Sequence, residues 1–564
     1  MLKIRHQKRD PFVPPLSIST LYDISSMGHQ NDIVVNQKEL NITRRELAHD
    51  RNTVARGFLE LGVGPGDIIT VATGRSMYDN IVIFLAANRI GAIVAFLDEK
   101  TRKDQLLHYL NEFKSPLLIT YMNTRAGLKS FKAAAPSLKN IINLDGTSTL
   151  GGFICNRTSI DQIAKKSKRR LPKNIFGGKR EALISFTSGS TSGPKPMVFT
   201  NENLIAAALF SKAASGIKMW DKNIKTWFSF VKFDCPYGLW TSVMTPIIGG
   251  SSVILTPDIN PTNFDYYFSK NPNAISGVPL LLDLLPRYLA KDINLSKVKL
   301  FISGGERLEA SASEAGSAFF KTHGANIKIC NGYGVGECLG SISVAVGSSY
   351  RPDTVGRVVP GCHVMVLDPE TGKELSHGKT GMLYVSGKHT LSRYYNRPDL
   401  DEQKLITIKH RRFVKTGDLA TISETGFITL VGRATFFINS VPAKVYYEIV
   451  RSAVAKSPVV SKCYVVKMPD KKMGYTACAF VVTKDGVPQN DDTRDAILAA
   501  ASEPFYIGAH CIELKNYELP EKIVFLDALP LTPANKTDFR ALERTAAELA
   551  TAKRVMVPKK KIAA

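Results

Sequence analysis

No two of the eight cysteines form a CxxC pair, and neither an HExxH motif nor a Cys/His cluster occurs. This excludes a zinc ribbon and speaks against a disulfide scaffold, so a reduced, cytoplasmic compartment is expected. Long hydrophobic runs are scarce as well. The longest, residues 81–97, is broken by Asn88, Arg89 and Gly91, too short and interrupted for a membrane span. The opening MLKIRHQKRDPFVPP is basic and lacks the apolar core of a signal peptide. With Pro11, Pro14 and Pro15, residues 1–30 read as a leader ahead of the folded part. No internal repeat or low-complexity tract stands out. Hydrophobic residues at 44% and charged ones at 22% exclude disorder and a collagen-like fibre.

Acidic residues are also in short supply: 50 Asp and Glu face 74 Lys and Arg, a net charge of +24. Such a surface suits anionic partners, from nucleotides to an acidic protein. A nucleic-acid partner is not expected, because no RRM, KH or helix-turn-helix signature accompanies the charge. The basic stretch 165–180 and the terminal Lys559, Lys560 and Lys561 read as solvated surface.

The length of 564 residues allows one large α/β body and a smaller domain. Residues 40–61 show helical periodicity, with Leu47, Val54, Phe58 and Leu61 on one face and cap-forming residues from Asn41 to Glu46. Residues 68–72 read as a strand. The run IVIFLAANRIGAIVAFLD reads as helix, turn at Gly91 and buried strand. Short apolar runs then alternate with helical stretches (SPLLITYM, NIINLD, EALISFT, SSVILTP, NAISGVP, VKLFISGG), which predicts parallel sheets covered by helices. Residues 361–367, 381–385 and 427–431 are denser in strands and predict a β-rich subdomain.

After the strand at 182–186 comes TSGSTSGPKP, residues 187–196. Its backbone N–H groups, hydroxyls and Lys195 can wrap a polyphosphate. It is not a Walker loop, since Gly193 is followed by Pro194 rather than lysine. The text resembles the signature of the AMP-forming adenylating superfamily, which holds acyl-CoA synthetases, luciferases and the adenylation domains of nonribosomal peptide synthetases. Further resemblances follow in the family's order: ISGGERL (302–308), NGYGVGE (331–337), GMLYVSG with YYNRPDL (381–400), KTGDLA (415–420), VGR (431–433) and LPLTPANKTDFRAL (529–542). Several positions depart from the family pattern: among them, Ser192 and Pro196 replace glycines, Gly336 replaces a threonine, and Thr435 replaces the hinge acid or lysine.

The resemblance implies a fold and a set of roles. The fold is a large N-terminal domain of helix-flanked sheets plus a β-rich subdomain, residues 1–432. A small, mobile α+β lid, residues 433–564, follows it. ATP and AMP are expected at Thr187, Ser188, Gly189, Ser190, Thr191, Lys195, Gly304, Gly305, Glu306, Asn331, Gly332, Tyr333, Gly334, Asp418 and Arg433. Lys536, Glu337 and Arg433 are the expected catalytic residues. Lys536 bridges carboxylate and phosphate oxygens, Glu337 holds Mg²⁺, and Asp418 accepts from the ribose hydroxyls.

The segment KFDCPYGLW resembles the peptide-synthetase version of this region, in which an aspartate meets the substrate's ammonium group. Asp234 stands at that position, and the resemblance adds Cys235, Phe301, Ser303, Gly332, Gly340 and Ser341 as walls for the acid. The expected enzyme is a free-standing AMP-forming acid–thiol ligase. It activates a small carboxylic acid, an amino acid first among them, and passes it to the phosphopantetheine thiol of CoA or of a separate acidic carrier protein. The other readings are an acyl-CoA or aryl-CoA synthetase and a degenerate nucleotide-binding protein. Asn439 and Pro442, where relatives carry lysine and glycine, put the thiol-transfer step in question.

Overall fold

The computed structural model describes residues 10–38, 40–73, 78–98, 101–120, 131, 133–143, 167, 169–172, 177–187, 194–233, 235–256, 260–352, 354–433, 437–439, 444–507, 510–531 and 537–552. Three sheets build the body. The first has the strand order Arg393–Tyr394, Pro196–Thr200, Glu181–Phe186, Ile93–Leu97, Ile68–Ala72, Leu117–Thr120 and Asn140–Asn143. Its five interior and far strands run parallel, and the first two are antiparallel. Strands Ile68–Ala72 and Ile93–Leu97 are buried at every position, as the absence of polar alternation in their sequences requires.

The second sheet has nine strands, in the order Arg357–Val358, Ser343–Val344, Ile329–Tyr333, Leu300–Ser303, Ala274–Gly277, Thr226–Ser229, Ser252–Leu255, Ile33–Gln37 and Leu40–Thr43. The helix Tyr78–Ile90 is buried all round except at Arg89 and belongs to the main apolar core between the layers. The third sheet is antiparallel: His363–Leu367, Gly381–Ser386, Arg411–Ile422 and Leu405–Ile408, with Ile428–Arg433 also paired to Arg411–Ile422. This is the predicted β-rich subdomain.

After Arg433 the chain builds a three-stranded sheet, Val460–Asp470, Gly474–Thr483 and Lys522–Phe525. The helices Tyr447–Ala455, Asp491–Ser502 and Phe539–Ala552 accompany it. Val450, Ala479 and Ile497 lie in a separate apolar core of this part.

Two expectations are corrected. Residues 10–30 are not a leader. The helix Ile18–Ser25 is capped by Ser17, buries Ile18 and Tyr22, and is tied to the body by Asn88 and Asn201. The prolines before it mask that periodicity. The second correction is smaller: the helix and its cap stand where residues 40–61 place them, but a strand precedes them. Leu40–Thr43 pairs with Ile33–Gln37, and the helix Arg44–Glu60 starts after Thr43, whose side chain closes a capping box with Glu46.

Candidate active site

The carboxyl ends of the strands Glu181–Phe186, Leu300–Ser303 and Ile329–Tyr333 open into one cleft of about 2790 Å³, which the last domain closes from the other side. Loops at such strand ends present backbone groups without competing ladder bonds. Phe186 hands over to Thr187, whose N–H donates to the Lys195 carbonyl at 3.2 Å. The Lys195 N–H returns a bond to Thr187 Oγ1 at 3.2 Å. These two bonds close the base of the Ser/Gly loop. Ser188, Gly189, Ser190 and Thr191 themselves lie outside the described residues, as do Asp234 and Lys536.

The strands Arg411–Ile422 and Ile428–Arg433 place Asp418 directly opposite Arg433. Arg433 Nε meets Asp418 Oδ1 at 2.8 Å, and Tyr333 Oη donates to Asp418 Oδ2 at 2.6 Å. Thr416 Oγ1 accepts from the Asp418 N–H and donates to the Leu383 carbonyl. Asp418 is buried while Arg433 is exposed on its cleft side. Burial pushes the Asp418 carboxyl up, and Arg433 opposes that. Asp418 in turn raises the Arg433 guanidinium above its ordinary value, and burial of Tyr333, reinforced by the Asp418 charge, raises the phenol. The arrangement is a carboxyl group held from both sides at the cleft wall, whose oxygens keep acceptor capacity for vicinal hydroxyls.

Glu337 follows the strand Ile329–Tyr333. Tyr394 Oη donates to its Oε1 at 2.8 Å, which leaves Oε2 for another partner. Among the described residues no group of three His, Cys, Asp or Glu side chains could hold a metal ion. One free carboxylate oxygen fits Mg²⁺, which keeps waters and phosphate oxygens as its other ligands.

Around this carboxylate the structure adds Lys404, which sequence reasoning passed over, to the expected Lys195 and Arg433. Lys404 lines the cleft, and burial lowers its ammonium pKa; Glu337 opposes this, while Lys195, Lys415 and Arg433 add to it. Lys404 sits at the end of the helix Pro398–Lys404, after the YYNRPDL text, where one more lysine in a basic chain carries no sequence signal.

Gly304, Gly305, Glu306, Asn331, Gly332 and Gly334 all line the cleft, as do Cys235, Gly340 and Ser341. Phe301 does not: it is wholly buried in the core against Phe320, with ring centroids 5.6 Å apart. Ser303 is buried too, with no partner for its hydroxyl among the described residues. Gly336, the departure from the family's threonine, has a structural counterpart. A Cβ there would meet Met197 Cε at 3.0 Å, so the Met197 side chain fills the space a larger residue would need.

This fold and this site define an AMP-forming adenylating enzyme. Residues 25–395 match the AMP-binding enzyme family and residues 450–536 match the AMP-binding enzyme C-terminal domain. The chain belongs to that family and is an acid–thiol ligase by class. A probable CoA ligase of Humulus lupulus is 24% identical over 98% of this chain and 96% of that protein. Tyrocidine synthase 2 of Brevibacillus parabrevis is 22% identical over 94% of this chain, which corresponds to 14% of that protein. The solved anthranilate CoA ligase in complex with anthranoyl-AMP shares the fold at a TM-score of 0.80, with 20% identity over 96% of this chain and 99% of that one. No helix among the described residues is long and apolar enough to cross a membrane.

Proposed function

We propose that this enzyme activates a small carboxylic acid with ATP and transfers the acyl group to the thiol of CoA. In the first step a carboxylate oxygen bonds to the α-phosphorus and pyrophosphate leaves. In the second a thiolate bonds to the acyl carbon and AMP leaves. Asp418 accepts from the ribose hydroxyls and Arg433 favours its ionised form beside them. Lys195 and Lys404 face the phosphate chain. Mg²⁺ held through Glu337 would supply charge neutralisation on the phosphates. Lys536 bridges the two reacting anions; its neighbours Thr537 and Asp538 line the same cleft as Asp418. We take the body as residues 1–432 and the lid as 433–564. Gly432 stands at the junction, where a Cβ would meet Glu448 Cβ of the lid at 3.0 Å.

The observation that carries this reading is the Tyr333–Asp418–Arg433 chain, set at the wall of a cleft that cations line. CoA is preferred as acceptor because the hop relative, a probable CoA ligase, matches along nearly its whole length. An amino-acid substrate and a carrier-bound thiol form the second reading, favoured by Asp234 in KFDCPYG and by the tyrocidine synthase match.

Acid-dependent exchange of pyrophosphate into ATP, screened over amino acids and aryl, aliphatic and dicarboxylic acids, tests the first step. Thioester formation with CoA tests the second. Exchange with a carboxylic acid, abolished by Asp418→Ala, is expected. ATP binding without exchange for any acid would leave a nucleotide-binding protein instead.

A further inference from the structure

Besides the acid walls Gly340 and Ser341, the cleft lining includes Ser211, Lys212 and Ser215 of the helix Asn201–Ser215, and we call this part of the cleft the lobe. That helix packs against the π-helical run Tyr237–Met244, the helix Thr245–Ile248 and the strand Ser343–Val344. Ser211 Oγ donates to Ser341 Oγ at 2.8 Å, which joins the lobe to the acid wall. A pocket for a plain hydrocarbon chain is lined by apolar side chains, because an unpaired buried hydroxyl costs free energy. Here the half-buried Ser211, Lys212 and Ser215 are among the lining residues.

Lys212 lines the same lobe. Its Nζ donates to the Lys218 carbonyl at 3.0 Å and to the Gly249 carbonyl at 3.2 Å. An ammonium has three N–H donors, so one is left over. Among the described residues no carboxylate lies within ion-pair distance of it. Asp221 acts on it electrostatically, but its oxygens accept from the N–H groups of Lys218 and Asn223. Burial lowers the Lys212 pKa to about 8, against Asp221, so the charge is held at a cost that an anion in the lobe would remove.

We propose that the lobe receives the far end of the acid and that Lys212 recognises a second carboxylate there, which makes the substrate a dicarboxylic acid. This rests on the adenylating reading above and narrows its substrate class. A lysine that merely caps the end of the helix Thr245–Ile248 would give the same two carbonyl bonds but no substrate discrimination.

Pyrophosphate exchange with succinate, glutarate, adipate and suberate, each against the monocarboxylic acid of equal length, separates the two. The wild-type enzyme is expected to prefer at least one dicarboxylic acid by tenfold or more in kcat/KM. Lys212→Met is expected to reduce that ratio at least tenfold, and Lys212→Arg to retain most of it. Lys212→Gln, which removes the charge but keeps a polar side chain, is the second variant should Lys212→Met not fold; it is expected to lower the same ratio at least tenfold. No dicarboxylate preference, or a ratio that neither variant moves, overturns the proposal. If no acid supports exchange, the adenylating reading fails instead. Calorimetric binding of the same dicarboxylic acids then decides for the lobe: affinity lost in Lys212→Met supports it, and equal or absent binding overturns it.

Discussion

Asp418 has both oxygens engaged, by a phenol on one side and a guanidinium on the other, so it is oriented before any nucleotide arrives. Lys404 is the opposite case. No carboxylate of the described residues lies within ion-pair distance of it, yet it is drawn into the cleft toward Glu337. A cation held there at a desolvation cost is poised for a phosphate. Lys404→Met is expected to raise the KM for ATP by tenfold or more, the loss of a charge-assisted contact of ~1.5–3 kcal/mol. The KM for the acid should hardly move, and steady-state kinetics with each substrate varied would check this. An unchanged ATP KM would make Lys404 a surface-stem residue only. Met197 and Gly336 form a second residue-level pair. Gly336→Thr alone should destabilise by ~1–3 kcal/mol through overpacking against the methionine methyl, and Met197→Val should relieve most of that. Urea denaturation of the single and double variants measures the coupling; additive losses would show that the two side chains do not compete.

At the scale of elements, the antiparallel register does the positioning. Asp418 and Arg433 are opposite one another only because Arg411–Ile422 and Ile428–Arg433 pair as they do, and a slip of one residue would turn one of them away from the cleft. The TGD and VGR texts announce the two residues, but their salt bridge follows from register, which no motif states. The parallel strands were legible because continuous apolar runs bounded by turn residues have few other uses. The helix Ile18–Ser25 was not, since a short helix behind three prolines carries weak periodicity. Leu40–Thr43 was missed because a four-residue strand leads straight into a helix cap. Phe301 was placed at the acid wall by its neighbours in the text, whereas strand alternation turns it into the core and leaves Gly332 and Gly334 of the adjacent strand and loop at the cleft. Gly334 shows how tight that loop is. A Cβ there would sit only 0.8 Å from the Gly340 carbonyl oxygen. Gly334→Ala should therefore displace the segment between Gly334 and Gly340, Glu337 with it. Exchange activity is expected to fall ~10²-fold or more, as for a misplaced catalytic group. Near-normal activity in that variant would show that the loop can open without moving Glu337.

Across the whole molecule, body and lid meet through ions rather than through a shared apolar core. Arg451 of the lid reaches Glu309 of the body at 2.5 Å and holds its own neighbour Glu448 at 2.6 Å, while Arg307 of the body also meets Glu448, at 3.3 Å. Lys462 of the lid meets Asp283 of the body at 2.5 Å. An ionic contact can part more readily than an apolar one, because water re-solvates the separated charges, whereas exposing apolar surface has no such return. Thr537 and Asp538 line the same cleft as Asp418 in this arrangement, the one expected to serve adenylation on the proposed reading. Breaking the ionic contact should then act unequally on the two half-reactions. Glu309→Gln leaves Arg451 facing an uncharged amide and loosens this arrangement. Pyrophosphate exchange is expected to fall severalfold, while thioester formation from a preformed acyl-adenylate holds or rises. Single-turnover measurement of each half-reaction in wild type and variant resolves the two effects. An equal fall in both would mean that the contact supports folding alone, and a selective loss of the thioester step would assign this arrangement of the lid to thiol transfer.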